Sequence, residues 1–154
     1  MISHAIRDKE RNPGHIEDVR VPVRLKLSAL WVSVMFMYVY VDIVGFYEPG
    51  TINEILGGRV WEFAISQAWA LGALALMVIP SLMVLLSVAL PARAARWTNL
   101  VVASLFVLVS LGNAVGEAWA FYWFGSVVEA ALLLLVVFYA WTWPRLVEAG
   151  REPR

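Results

Sequence analysis

Four long apolar stretches constrain this chain more than any other feature. Leu27 to Tyr47 carries one charge, Asp42; Ala68 to Leu90 and Thr98 to Gly116 carry none; Trp119 to Trp143 carries only Glu129. About 20 apolar residues cross a hydrocarbon layer about 30 Å thick at 1.5 Å per helical residue, so each stretch suffices. Only Glu117 and Ala118 separate the last two. A single helix from Thr98 to Trp143 would be about 69 Å long, so the chain must reverse near Gly116. The expected fold is all-α, an integral membrane four-helix bundle. Its spans are expected at 27–47, 68–90, 98–116 and 119–143 within one transmembrane domain, 27–143. A loose or interfacial tail, 1–26, precedes it and a short tail, 144–154, follows.

Composition supports this and removes several functions. The chain is 154 residues long, 61% hydrophobic and 16% charged, against about 25% charged in soluble domains. Eight Trp, seven Phe and five Tyr argue against disorder, which is poor in aromatics. Twelve basic residues balance twelve acidic ones, leaving no basic field for a nucleic acid backbone. With no cysteine there is no disulfide, thiolate metal site or iron–sulfur ligation. His4 and His15 both precede the first apolar stretch, so no His pair can grip a haem between helices. No metal, cofactor or catalytic residue is assigned.

Orientation follows from the positive residues, which stay on the cytoplasmic side. Arg7, Lys9, Arg11, Arg20, Arg24, Lys26, Arg93, Arg96, Arg145, Arg151 and Arg154 fall on one side; Arg59 stands alone on the other. Both termini are therefore expected inside, with 48–67 and the Gly116–Glu117 turn outside. Trp31, Trp97, Trp141 and Trp143 would lie near the inner interface, and Tyr47, Trp69, Trp119 and Tyr122 near the outer one. Thr51-Ile52-Asn53-Glu54 has the spacing of a capping box and opens an expected amphipathic segment, 51–66, in the outer interface. Pro80 should kink the second span, with Ser81 satisfying the freed backbone groups.

Ionisable groups at membrane depth are costly and call for a reason. Asp42 lies about 7 Å inside the outer end of the first span. Glu129 lies near the midplane of the fourth, beside Tyr122, Gly125, Ser126 and Leu133 at helical spacing. On the third span Asn99, Ala103, Phe106, Ser110, Asn113 and Glu117 recur 4, 3, 4, 3 and 4 residues apart, one stripe along one face. Gly112 and Gly116 have the GxxxG spacing that favours close helix packing. Counting depth from the outer ends gives a pocket in the outer half, with Glu117 at the mouth, Asp42 and Asn113 within, and Glu129 at the floor. Tyr38, Ser110 and Tyr122 would form its walls. No Lys or Arg lies within a span, so the acids have no intramembrane cation from their own chain. They are either neutral and hydrogen-bonded for structure, or they hold a ligand or exchange a proton.

The runs Leu27-Ser28-Ala29-Leu30-Trp31, Tyr38-Val39-Tyr40-Val41-Asp42, Tyr47-Glu48-Pro49-Gly50 and Pro80-Ser81-Leu82-Met83 resemble a bacterial family of small four-span membrane proteins without assigned function. The likeness covers roughly residues 24–143, and the layout is loosely similar to DoxX-like four-helix membrane proteins. This resemblance implies a compact four-helix fold in a bacterial inner membrane and implies no activity. Small multidrug exporters differ, being shorter and carrying their acid nearer the middle of the first span. Membrane sterol isomerases also use intramembrane acids, but the His expected of such a pocket is absent from these spans.

Three functions fit these residues. The first is a protein that binds or moves a small, cationic or proton-coupled ligand. The second is a non-catalytic subunit or homo-oligomer whose polar stripe on the third span meets a membrane protein partner. The third is an intramembrane acid–base isomerase, for which no nucleophile or cofactor fingerprint accompanies the acids.

Overall fold

Pro22 opens the first long helix, its carbonyl accepting from the backbone N–H groups of Leu25 and Lys26. Proline suits this place because its fixed φ begins a helix and its missing N–H costs nothing there. The structure, a computed structural model, describes residues 20–144. His4, His15, nearly all of the expected N-terminal tail, residues 145–154 and six of the eleven basic residues used for orientation lie outside the described residues. The elements are α1 (Val23–Gly45), α2 (Thr51–Leu56), β1 (Arg59–Val60), β2 (Phe63–Ala64), α3 (Gln67–Ala89), α4 (Ala92–Ala114) and α5 (Ala120–Trp141). Of these, α1, α3, α4 and α5 have 22 or 23 residues and are long and apolar enough to cross a membrane. The chain is mostly helical and consistent with a small membrane protein.

Packing follows chain order. α1 lies against α3 and α5, and α4 lies against α5 and α3, so the four long helices go round the bundle as antiparallel neighbours. Leu27, Trp31, Val34 and Tyr38 form the buried stripe of α1, spaced 4, 3 and 4 residues apart. They meet Met83 of α3, Leu100, Ala103 and Phe106 of α4, and Leu133, Val136 and Ala140 of α5. This spacing is the seam of helices that cross at a shallow angle. At one end, here the basic end, the first turns of α1 and α4 cap the last turns of α3 and α5. Arg24 Nη1 donates to the Val88 carbonyl at 2.9 Å, and Arg96 Nε to that of Ala140 at 3.2 Å. Cations suit these positions because helix C-termini leave carbonyls unsatisfied and carry partial negative charge.

The other end, here the hairpin end, departs from expectation. Gly50, at φ 102°, is the N-cap of α2, and Thr51 is already helical with no side-chain cap. The left-handed glycine starts the helix one residue before a capping box would need, so no box forms. The short helix that the sequence places at Thr51 does form, and it ends at the Gly57-Gly58 pair. α2 stops at Gly57, and the chain then forms a hairpin pairing Arg59 with Ala64 and Val60 with Phe63. Its two-residue turn places Trp61 at φ 52°, a backbone that suits strand twist.

Glycine packing is also relocated. A Cβ on Gly112 or Gly116 would meet nothing within 4 Å; Gly116, at φ 91°, makes the reversal between α4 and α5 instead. Close approach occurs between α1 and α5, where a Cβ on Gly45 would lie 2.6 Å from the Tyr122 hydroxyl and one on Gly125 2.5 Å from Val41 Cγ2. α3 runs without interruption through Pro80, and Ser81 Oγ donates to the Met77 carbonyl at 2.8 Å rather than to the Leu76 carbonyl that the proline frees.

Candidate functional site

Ser28, Met35 and Asp42 recur every seven residues and so share one face of α1. The first two touch α3: Ser28 Oγ donates to the Val84 carbonyl at 2.9 Å, and Met35 Sδ lies 3.7 Å from Ser81 Oγ. One heptad nearer the hairpin end, Asp42 is exposed. α4 repeats this pattern with Asn99, Phe106 and Asn113. Asn99 meets Ser87 of α3, Phe106 is buried, and Asn113 is exposed.

The shared cause lies in α3. Its buried residues are Pro80, Met83 and Ser87, all from the proline onward. From Gln67 to Leu76 every residue is exposed except half-buried Trp69, and a Cβ on Gly72 would meet nothing within 4 Å. That segment is rich in Ala and Gly, whose small side chains offer little dispersion contact to hold it against the bundle. On the hairpin side of Pro80, α3 thus buries no residue against α1 or α4, and Asp42 and Asn113 lie exposed in that half of the bundle.

Deeper in the bundle polar groups converge. Tyr38 Oη and Ser110 Oγ lie 3.0 Å apart, joining the diagonal helices α1 and α4. Glu129 of α5, only 3% exposed, lies near Ser110 and within electrostatic range of Tyr38 and Asp42. Tyr122 stands over Gly45, also within range of Asp42. Of the residues expected to line the site, Tyr38, Ser110 and Glu129 are brought together in the bundle, with Asp42 and Tyr122 next to them.

Three expectations need correction. Asn113 is exposed rather than enclosed, because α-helical periodicity drifts off a 3.5-residue stripe and the buried face of α4 passes through Ala114 at this end. Asp42, too, is exposed, so it is not enclosed in a pocket. Two depressions of the surface lie elsewhere, one along α4 and α5, the other around Arg93 and Arg96. Finally, Asn99, Ala103, Phe106 and Ser110 are buried in the chain's own core, so that part of the stripe offers no surface to a partner.

Glu117, in the turn after α4, is half-buried beside Glu48 of the α1–α2 turn. Partial burial and then the Glu48 charge hold its carboxyl above the usual 4.5. The unfolded chain therefore releases this proton first as pH rises, and the folded state loses stability from the usual value up to the raised one. Glu117→Gln should lack that loss. Melting curves in detergent across the acid range check it: wild type should fall relative to the variant as pH rises, and parallel profiles would refute it.

One network escaped the sequence reading. Trp31 Nε1 donates to Asn99 Oδ1 at 2.7 Å, Asn99 Nδ2 donates to the Ala95 carbonyl at 2.8 Å, and Ser87 Oγ, which donates to the Met83 carbonyl at 2.6 Å, lies 3.1 Å from the same Asn99 oxygen. All three side chains are fully buried, tying α1, α3 and α4 together. Asn99 was visible as a member of the polar stripe, and Ser87 as a hydroxyl in an apolar helix; nothing in the sequence paired them. Among the described residues no group of three or more His, Asp or Glu is placed to hold a metal.

The chain matches no curated protein and no solved structure. A family model does match, over residues 19–149, a range that contains all four long helices and every run quoted above for the resemblance. By that match, the chain belongs to the family of unknown function DUF6326.

Proposed function

We propose that this protein is a multi-pass protein of a bacterial cytoplasmic membrane, with both termini inside, that binds or moves a small polar or cationic ligand through the cleft at its hairpin end. The orientation rests on eleven basic residues against Arg59 alone. The function rests on one observation: Asp42 and Asn113 are exposed at the hairpin end, where α3 buries no residue, and Asp42 lies within electrostatic range of buried Glu129.

Chemically, the cleft offers carboxylate, amide and phenol oxygens, and the Lys and Arg residues of the long helices all lie at the opposite, basic end. Such a set suits an ammonium group or a hydrogen-bonding neutral molecule better than an anion. A cation and a proton would both be drawn to a site that holds the two carboxyls of Asp42 and Glu129. Competition between them would couple ligand movement to proton movement.

Thermal shift in detergent, with a panel of small amines and monovalent cations, tests this. Wild type should be stabilised by at least one of them, more strongly as pH rises and protons compete less. Asp42→Asn and Glu129→Gln should remove the shift while keeping the ligand-free melting temperature within a few degrees, because an amide retains much of the hydrogen bonding. Equal shifts in all three proteins would overturn the assignment.

A further inference from the structure

A shallow groove of about 460 Å³ runs along the outside of α4 and α5, away from the cleft. Val101, Leu105 and Leu108 of α4 and Val137 of α5 line its length, and Trp97 and Trp141 stand at its basic end. A second depression, lined by Ala92, Arg93, Arg96 and Trp143, lies at that same end. Arg96 links the two, since its guanidinium sits 5.8 Å from the Trp97 ring and 5.9 Å from the Trp141 ring while lining the second depression.

We infer that this surface seats one anionic phospholipid, an acyl chain in the groove and the phosphate at Arg93 and Arg96. Length supports one chain of one leaflet. Trp97 and Leu108 are eleven residues apart, about 16 Å along the helix, against about 15 Å for half of the hydrocarbon layer. The two tryptophans then fall at headgroup level, where their rings are favoured. Charge supports the headgroup. Arg93 and Arg96 are one turn apart on the first turns of α4, and no acid lies between Ala68 and Gly116 to offset them. Arg96 already donates to the last carbonyls of α5, so a phosphate there would neutralise a cation held in place by the fold. The inference needs the chain to span a membrane but does not depend on the cleft.

Native mass spectrometry of the full chain from mild detergent provides the test, with phosphatidylglycerol and phosphatidylcholine of identical acyl chains as probes. Wild type should retain one phosphatidylglycerol in preference to phosphatidylcholine. Arg93→Gln, which leaves the α5 cap intact, should lower that preference about fivefold, as expected for one arginine near a lipid surface. Ser104→Phe, which fills the middle of the groove, should weaken both lipids together. Equal retention of the two lipids by wild type would overturn the headgroup assignment. Undiminished binding to Ser104→Phe would overturn the acyl-chain seat. Melting curves confirm that each variant is folded, and unaltered amine shifts in Arg93→Gln keep this result separate from that of the cleft.

Discussion

Replacing Trp31 by alanine is expected to lower stability by about 3–5 kcal/mol, the largest loss from any single side chain in this bundle. Its indole is fully buried, packs edge-on against Phe106 at 6.3 Å and donates to Asn99 at 2.7 Å. Lipid is as apolar as the core, so burial against neighbouring helices adds little hydrophobic free energy in a membrane. What alanine removes is packing, which lipid does not restore, together with one buried hydrogen bond. Trp31→Phe keeps most of the volume and removes only the indole donor to the Asn99 oxygen, beside which the Ser87 hydroxyl remains at 3.1 Å to share its proton. Its expected cost is about 1–2 kcal/mol. Asn99→Ala leaves the indole N–H without an acceptor and should cost about 2 kcal/mol. The double variant Trp31→Phe, Asn99→Ala should then cost less than the sum by about 1 kcal/mol, measured by unfolding in mixed micelles. Strict additivity would show that the bond contributes nothing in this setting.

Gly125→Ala should destabilise by about 1–3 kcal/mol through overpacking, though alanine is the better helix former. Its new methyl would arrive 2.5 Å from Val41 Cγ2, a stiff β-branched side chain with no low-cost rotamer to retreat into. Either α1 and α5 separate or the valine strains. Val41→Ala on its own should have a small effect, and in combination it should return most of the lost stability. The comparable change Gly45→Ala should cost less, because the obstructing atom is the far end of the Tyr122 side chain. If Gly125→Ala proves neutral, the close approach of α1 and α5 is not a constraint on the fold. The position matters for the cleft as well, since Gly125 is one turn from Glu129 and any separation of α1 from α5 would move Glu129 away from Tyr38.

Much of the architecture could be read from residue order. An apolar run of about 20 residues has one low-energy solution in a bilayer, a helix that satisfies its own backbone, and such runs are visible without knowing what surrounds them. The four long helices and the reversal at Gly116 follow from that alone. The face of α4 carrying Asn99, Phe106 and Ser110 was also legible, because side-chain direction is a periodic function of position.

Tertiary structure decided the rest. Whether a heptad position is covered depends on the neighbouring helix, and here α3 buries residues only from Pro80 onward, while Asp42 and Asn113, in the other half of the bundle, are exposed. Equal depth placed these residues at one level, yet depth has no bearing on whether a third helix closes over them. The same holds for the glycines. Gly112 and Gly116 had the motif, and Gly45 and Gly125 had the contact, because a missing Cβ matters only where another backbone or side chain arrives. Trp31, Asn99 and Ser87 lie on three helices and became one network only when those helices met. Local periodicity is a property of the chain; coverage, close approach and long-range pairing are properties of how its pieces pack.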